Sequence, residues 1–216
     1  MNEEARTRLE AGARQLGVAL SAGQVEQLGR YVALLLSWNE KLNLTTVTEP
    51  SAIVDKHLLD SLALIAHVGD ARRVLDVGTG PGLPAVVLAI VCPQLEIIAV
   101  ESIQKKVNFV RAVSRELKLA LVPQCVRLEQ FKDSSGFDLA VSRATFEPSE
   151  WVRRGAPFVR PEGRLLAMLS GQQLAPDAPP GFRLEPGAEH VIAGAMRRVL
   201  CFRRDASVLP ETAASA

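Results

Sequence analysis

Apolar positions along the middle of this chain alternate between two spacings. Short, largely apolar runs at Arg73 to Val77, Glu96 to Val100, Ala120 to Val126, Phe137 to Val141 and Arg164 to Leu169 read as strands. Between them, Leu83 to Val91, Ile103 to Leu117 and Glu150 to Phe158 carry the three-to-four spacing of helices. Strands alternating with helices of this length predict an α/β fold with a doubly wound, mostly parallel sheet, whose ligands sit at the carboxyl ends of the strands. Beyond Ser170 and Gly171 the texture changes: Gln172 to Gly187 is rich in proline and glycine, and Met196 to Phe202 reads as a last strand.

Ahead of Arg73 the spacing is helical throughout. Ser21 followed by Gln24 has the form of a capping box, and Val25, Leu28, Val32 and Leu35 make the apolar stripe of the helix behind it. Trp38, Asn39 and Asn43 stand near that helix's end, where asparagine commonly satisfies backbone groups. This segment has no sheet of its own. We therefore expect an N-terminal helical cap over residues 1–70, a sheet domain over 71–204, and a frayed tail over 205–216.

The run VLDVGTGPGLP, Val74 to Pro84, is a strand feeding a glycine-rich turn with a helix behind it. Gly78, Gly80 and Gly82 permit backbone conformations and a close ligand approach that a Cβ obstructs, and the turn's N–H groups sit at the positive end of a helix that Pro84 is suited to open. That order of parts is a nucleotide-cofactor cradle. The next strand leads to Glu101, where an acid about 20 positions after such a turn accepts hydrogen bonds from ribose hydroxyls. The cradle alone leaves two cofactors open. A dinucleotide fingerprint, G-x-G-x-x-G, needs glycine at the sixth position from Gly78, and Leu83 stands there. The spacing reads instead D-x-G-x-G-x-G from Asp76 to Gly82, and resembles motif I of the Rossmann-like class I S-adenosylmethionine methyltransferases. Asp76 suits a cationic methionyl amino group, directly or through water, and would repel a pyrophosphate.

Of the 216 residues 48% are hydrophobic and 23% charged, enough for a substantial core. The start MNEEARTRLE is charged rather than secretory, and no run approaches the ~18 apolar residues that span a bilayer, so we expect a cytoplasmic protein with no membrane partner. Cys92, Cys125 and Cys201 are widely spaced with no C-x-x-C, which indicates buried thiols and no metal site. The net charge is only +1, with nine acidic and six basic residues in 1–70 but nine basic and six acidic in 151–216. A polyanion must therefore meet a local patch. Lys105, Lys106, Arg111 and Arg115, on an amphipathic helix with Val107, Phe109 and Val110, are the candidate; an ordinary solvated face is the competing reading. No Ser/His/Asp or Cys/His arrangement or glycosidase-like carboxylate pair is evident, which sets hydrolases aside.

A specific resemblance then appears in LLLSWNEKLNLTTVT (Leu34 to Thr48), HLLDSL (His57 to Leu62), DVGTGPGLP, KKVNFVRAV (Lys105 to Val113), VRLEQF (Val126 to Phe131) and FDLAVSRA (Phe137 to Ala144). In this order they resemble the small-subunit ribosomal RNA (guanine-N7) methyltransferase G family, also called glucose-inhibited division protein B. The resemblance implies methylation of a guanine of 16S ribosomal RNA at N7 with S-adenosylmethionine as donor. It carries cofactor contacts onto Gly78, Leu83, Leu128, Glu129 and Arg143, with Glu101 at the ribose; Asp76 and Gly80 of motif I complete the cofactor set. The substrate-side candidates are His57, Asp60 and Ser61 of the H-x-x-D-S string, Lys105, Lys106 and Arg127. Against these stand plainer readings: His57 as a satisfied helix histidine, and Arg127 or Arg143 as scaffold partners of Glu129 or Asp138. His67 and His190 read as ordinary.

Because guanine N7 already carries an in-plane lone pair, no general base is expected. The expected partner is 16S RNA or the small ribosomal subunit, met by a monomer. The chain departs from the family at Ala85, where a glycine is usual, at Ser170, where strand 5 usually ends in L-K-G, and over Thr145 to Pro148. The Ser170 departure keeps in view a non-catalytic ribosome-assembly or RNA-binding factor on the same fold; a rival that shares the fold is a nucleotide-dependent oxidoreductase, told apart by whether NAD or S-adenosylmethionine binds.

Overall fold

The computed structural model describes residues 1–206, so the expected tail lies, past Ala206, outside the described residues. The strands are β1 (Arg73–Val77), β2 (Glu96–Glu101), β3 (Leu121–Cys125), β4 (Phe137–Ser142), β5 (Val159–Ser170), β6 (Phe182–Ile192) and β7 (Ala195–Arg204). They form one seven-stranded sheet in the order β3-β2-β1-β4-β5-β7-β6. The first five strands are parallel, and β7 is inserted antiparallel between β5 and β6. The chain thus winds outward from β1 in one direction and from β4 in the other, leaving a crevice at the β1–β4 carboxyl ends. Ser142 Oγ donates to the Val77 carbonyl at 2.7 Å there, tying the two strand ends together.

Both faces of the sheet are buried, which is why its strands read as apolar runs. Leu75, Val77, Ala140, Leu165 and Ala167 pack under Trp151 of α7 (Pro148–Gly155) with Phe131 and Phe137. Val74, Ile97, Ala99, Leu139 and Leu166 face α5 (Ala85–Val91) and α6 (Gln104–Leu117), and that core continues without a break into the N-terminal helices α1 (Glu3–Gln15) and α2 (Ala22–Leu42). The predicted capping box is present, Gln24 N donating to Ser21 Oγ and Ser21 N to Gln24 Oε1, and the whole predicted stripe of α2 is buried. Each Leu so buried contributes about 1.5–3 kcal/mol. At its end Asn43 takes a left-handed conformation, and Asn39 Oδ1 accepts from the N–H groups of Leu44 and Thr45 at 2.6 and 2.8 Å. These asparagines shape the exit of the helix.

After that loop, α3 (Pro50–Ile53) runs into a π-helical turn (Val54–Leu59) and a last turn, α4 (Asp60–Leu62). Single π turns occur frequently at functional sites, and this one carries Lys56 and His57 and leads into Asp60.

Three expectations are corrected. β6 falls across the stretch read only as rich in proline and glycine; Pro186 and Gly187 sit in a register shift between Glu185 and Ala188 on an edge strand, where a missing donor is tolerated. β5 starts at Val159 rather than Arg164, because Glu162 adopts positive φ and the β4 register slips between Phe137 and Leu139. Cys92 and Cys201 are buried, but Cys125 is exposed because β3 is the other edge strand.

Candidate active site

The glycine turn forms one wall of a cavity of about 550 Å³ at the crevice. Gly78 has φ +70°, and its N–H and that of Thr79 donate to the Val100 carbonyl at 2.8 and 3.2 Å, so the exit of β1 is stitched to β2. A Cβ on Gly78 would collide with Thr145, whose hydroxyl donates to the Gly78 carbonyl at 3.1 Å. Gly80, at φ +58°, has no such neighbour and faces open space. Its N–H donates to Glu101 Oε2 at 3.1 Å, while Glu101 Oε1 accepts from the Ile103 N–H at 2.9 Å. The Glu101 carboxylate, 7% exposed, is thereby aimed by the backbone on both sides and lines the cavity. Leu83, Leu128, Glu129 and Arg143 also line it.

Asp76 is placed differently from the expectation of a ligand-facing acid. It lies wholly buried behind the turn, Oδ2 accepting from Thr79 Oγ1 at 2.6 Å and from the Ala85 N–H at 3.1 Å. Oδ1 has no partner, and burial raises the carboxyl's pKa to about 6. It braces the turn against the start of α5. Glu129 pairs with Arg154, not with Arg127, and Arg154 in turn holds Glu150 at 2.8 Å and lies over the Phe146 ring, which stacks on Trp151.

A second cavity, about 260 Å³, adjoins the first and shares Arg143, Ala144 and Phe146 with it. Its polar lining comes from Lys56, Asp60, Ser142, Ser170, Gln173 and Arg197. Asp60 sits between two guanidinium groups, Oδ1 accepting from Arg197 Nε at 3.1 Å and Oδ2 from Arg143 at 3.5 Å. Burial raises its pKa and the arginines oppose the rise. Arg143 is further held by the Lys56 carbonyl at 3.0 Å and His57 Nδ1 at 3.4 Å. A guanidinium only donates, so Nδ1 must be the unprotonated nitrogen and Nε2–H faces the Thr45 hydroxyl at 3.1 Å. Burial, and then the Arg143 charge, lower the His57 pKa to about 4. The imidazole is neutral with both nitrogens engaged, and it lines neither cavity.

The remaining candidates divide. Ser61 is fully buried and donates to the His57 carbonyl at 2.6 Å, inside its own helix. Lys106 lines the larger cavity with Nζ 3.9 Å from Glu101 Oε2, whereas its neighbour Lys105 is exposed and lines neither cavity. The two lysines, expected as one patch, therefore belong to different surroundings. Arg127 is exposed at the rim of the larger cavity, and Asp138 pairs with Arg160 instead. Lys56, Thr145, Arg154 and Arg197 were not singled out from the sequence. Thr145 lay in the stretch that departs from the family, and Arg197 faces Ser170 across the β5–β7 ladder.

The family model for rRNA small subunit methyltransferase G matches residues 24–177. The chain belongs to this family. It is 43% identical over 164 residues to ribosomal RNA small subunit methyltransferase G of Anaeromyxobacter dehalogenans, covering 74% of this chain and 76% of that one. With the Pseudomonas paraeruginosa protein of the same name it shares 40% identity over 206 residues, covering 92% and 95%. Among solved structures, an O-methyltransferase from Bacillus cereus in complex with S-adenosylhomocysteine superposes with a TM-score of 0.60 at 14% identity, over 94% of this chain and 99% of that chain. The chain thus has the class I methyltransferase fold. Among the described residues no helix is long and apolar enough to cross a membrane.

Proposed function

We propose that this protein transfers a methyl group from S-adenosylmethionine to N7 of a guanine in small-subunit ribosomal RNA, with the cofactor in the larger cavity and the guanine in the smaller. The observation that carries this reading is the junction of the two cavities at Arg143, Ala144 and Phe146, over the carboxyl ends of β1 and β4. The residues present suit the cofactor: Gly80 leaves the backbone open, Glu101 is held ready for ribose hydroxyls, and Leu83, Leu128 and Glu129 form the wall expected for the adenosine end. When bound, the cofactor supplies an electrophilic methyl group on a sulfonium.

The protein's task is alignment and the exclusion of competing donors. A proton or hydrogen bond on N7 would block its lone pair. Here His57 is neutral, has both ring nitrogens engaged and lines neither cavity, so it is not free to cap the nucleophile, and the NH1 of Arg143 is tied to Lys56, His57 and Asp60. Asp60 is the carboxylate of the smaller cavity, and it suits the N1–H and N2–H₂ edge of guanine, whose positive charge grows as N7 is alkylated. Arg197 offers, from β7, a cation opposite Ser170, where the family usually has lysine. Arg127 at the exposed rim and the exposed Lys105 of α6 suit phosphates, and we expect the enzyme to act as a cytoplasmic monomer.

The test is transfer of tritiated methyl to small subunits from a strain lacking the enzyme, with the product mapped by borohydride–aniline cleavage, which breaks RNA at N7-methylguanine. One labelled, cleavable guanine is expected. Label that resists cleavage, or none, would overturn the assignment.

A further inference from the structure

We propose that Tyr31 of α2 is a positioning residue for the cofactor turn, so that the N-terminal helix, beyond covering the sheet domain, sets its affinity for S-adenosylmethionine. The inference rests on the larger cavity being the cofactor site. In the stretch Gly80–Pro81–Gly82 both glycines have positive φ, at +58° and +94°, and Pro81 has no N–H to anchor it. Two side chains grip its crest from opposite sides. Glu101 takes the Gly80 N–H from the cavity side, and the Tyr31 hydroxyl donates to the Pro81 carbonyl at 2.9 Å from the far side. Pro81 itself lines the cavity.

Tyr31 is fully buried, and its ring packs on Phe109, which also meets Trp38, so the hydroxyl has one place to go. Gln24, two turns earlier on α2, donates to the Val91 carbonyl at 3.1 Å at the opposite end of α5. α2 is therefore an antiparallel splint along α5, fastened at the glycine turn by Tyr31 and at the helix end by Gln24. Without the hydroxyl, the Pro81 carbonyl loses a buried partner and the Gly80 peptide, hinged between flexible neighbours, is no longer held where Glu101 and the ligand both need it.

Tyr31→Phe removes one atom and keeps the ring. The measurement is calorimetric titration with S-adenosylhomocysteine, together with KM for the methyl donor, kcat on small subunits and the unfolding temperature without ligand. Gln27→Ala is the comparison, because Gln27 lies on the same helix but donates to the Leu117 carbonyl at the end of α6, away from the turn. Expected for Tyr31→Phe are a Kd and KM raised roughly five- to tenfold, the scale of one lost buried hydrogen bond, a kcat within about twofold of wild type, and faster hydrogen exchange at Gly80 and Gly82. Gln27→Ala should leave Kd unchanged. An unchanged Kd and unchanged turn exchange in Tyr31→Phe, with only a lowered unfolding temperature, would overturn the proposal, as would equal Kd losses in both variants. Failure of the wild-type protein to bind S-adenosylhomocysteine would instead overturn the cofactor assignment.

Discussion

The two cavities that meet at Arg143 are built in opposite ways. The larger is made mostly by consecutive loops from Val77 to Glu129, and closed by the β4 exit and Arg154; its wall is a glycine turn whose N–H groups are stitched to Val100, Thr79 and Glu101, and the backbone aims the Glu101 carboxylate. The smaller is assembled from distant pieces, the π turn with α4, the β4 exit, α7, the end of β5 and the start of β7, and its charged side chains brace one another. A site of the first kind tolerates side-chain change but not a change of backbone shape. In the second kind each charge depends on its partner, so removing one leaves others buried and unpaired.

The sharpest way to break the comparison is to attack the backbone. Gly78→Val adds a Cβ at positive φ directly against Thr145, and S-adenosylhomocysteine binding should fall more than about 100-fold by calorimetry while the sheet remains folded by circular dichroism. Retained affinity would mean that the turn does not contact the ligand.

Next comes Asp60→Ala, which strips the carboxylate from between Arg143 and Arg197. Single-turnover methylation of small subunits should drop roughly 100-fold, the order expected when one preorganised charge is lost, with cofactor Kd changed less than about threefold by the same criterion. A loss carried wholly by cofactor Kd would merge the two cavities into one functional unit.

Smaller effects should separate Lys105 from Lys106. Lys106→Glu places a like charge beside Glu101 and should weaken S-adenosylhomocysteine binding by roughly three- to tenfold. Lys105→Glu should leave that constant alone, weaken subunit binding and reduce its salt slope by about one. The same response from both variants would restore the single basic patch suggested by their adjacency in sequence.

The same contrast explains what was legible in the chain. Val74 to Pro84 and Glu101 announced the glycine turn and the acid it meets because turn, strand and helix are neighbours in sequence, and β1 to β4 and the capping box fell where the spacing put them. The smaller cavity gave no such signal: Arg197 reaches Asp60 only because β7 inserts antiparallel beside β5, a pairing that no local pattern encodes. β6 was hidden because Pro186 and Gly187 interrupt its alternation, which an edge strand with a bulge absorbs. Asp76 was legible as important but not in its role, since a carboxylate at a strand tip looks the same from sequence whether it faces the ligand or braces the turn. His57 and Asp60 carried the right spacing, but the π turn that separates the engaged imidazole from the cavity-lining carboxylate is invisible to a helical period.

The smallest expected effect sharpens the comparison through acid. His57, on the acceptor side, has its pKa lowered from 6.5 to about 4, so between those values the unfolded chain binds more protons than the folded one and stability falls as pH falls. Asp76, on the cofactor side, has its pKa raised from 3.8 to about 6, so in that window the folded chain holds the extra proton and stability rises as pH falls. The fully buried carboxyl is worth about 3 kcal/mol across its window, and the partly exposed imidazole, after screening, about 1–2 kcal/mol. Further groups extend the balance: His67 acts with His57 through burial, Asp60 acts with Asp76, and the hydrogen-bonded carboxyls of Glu49, Asp70, Glu129 and Asp133, held below their usual range, act with His57 at the acid end of the window. Urea unfolding of the wild type between pH 4 and 6 should accordingly show only a shallow slope. Asp76→Asn, which stays neutral, should lose stability on acidification more steeply than wild type, and His57→Gln should gain it. Single-turnover methylation, by contrast, should stay flat from about pH 6.5 to 8.5, because N7 needs no base and the imidazole is already neutral there. A rate rising tenfold per pH unit in that range, with the slope lost in His57→Gln, would make the histidine a base and the acceptor something other than N7.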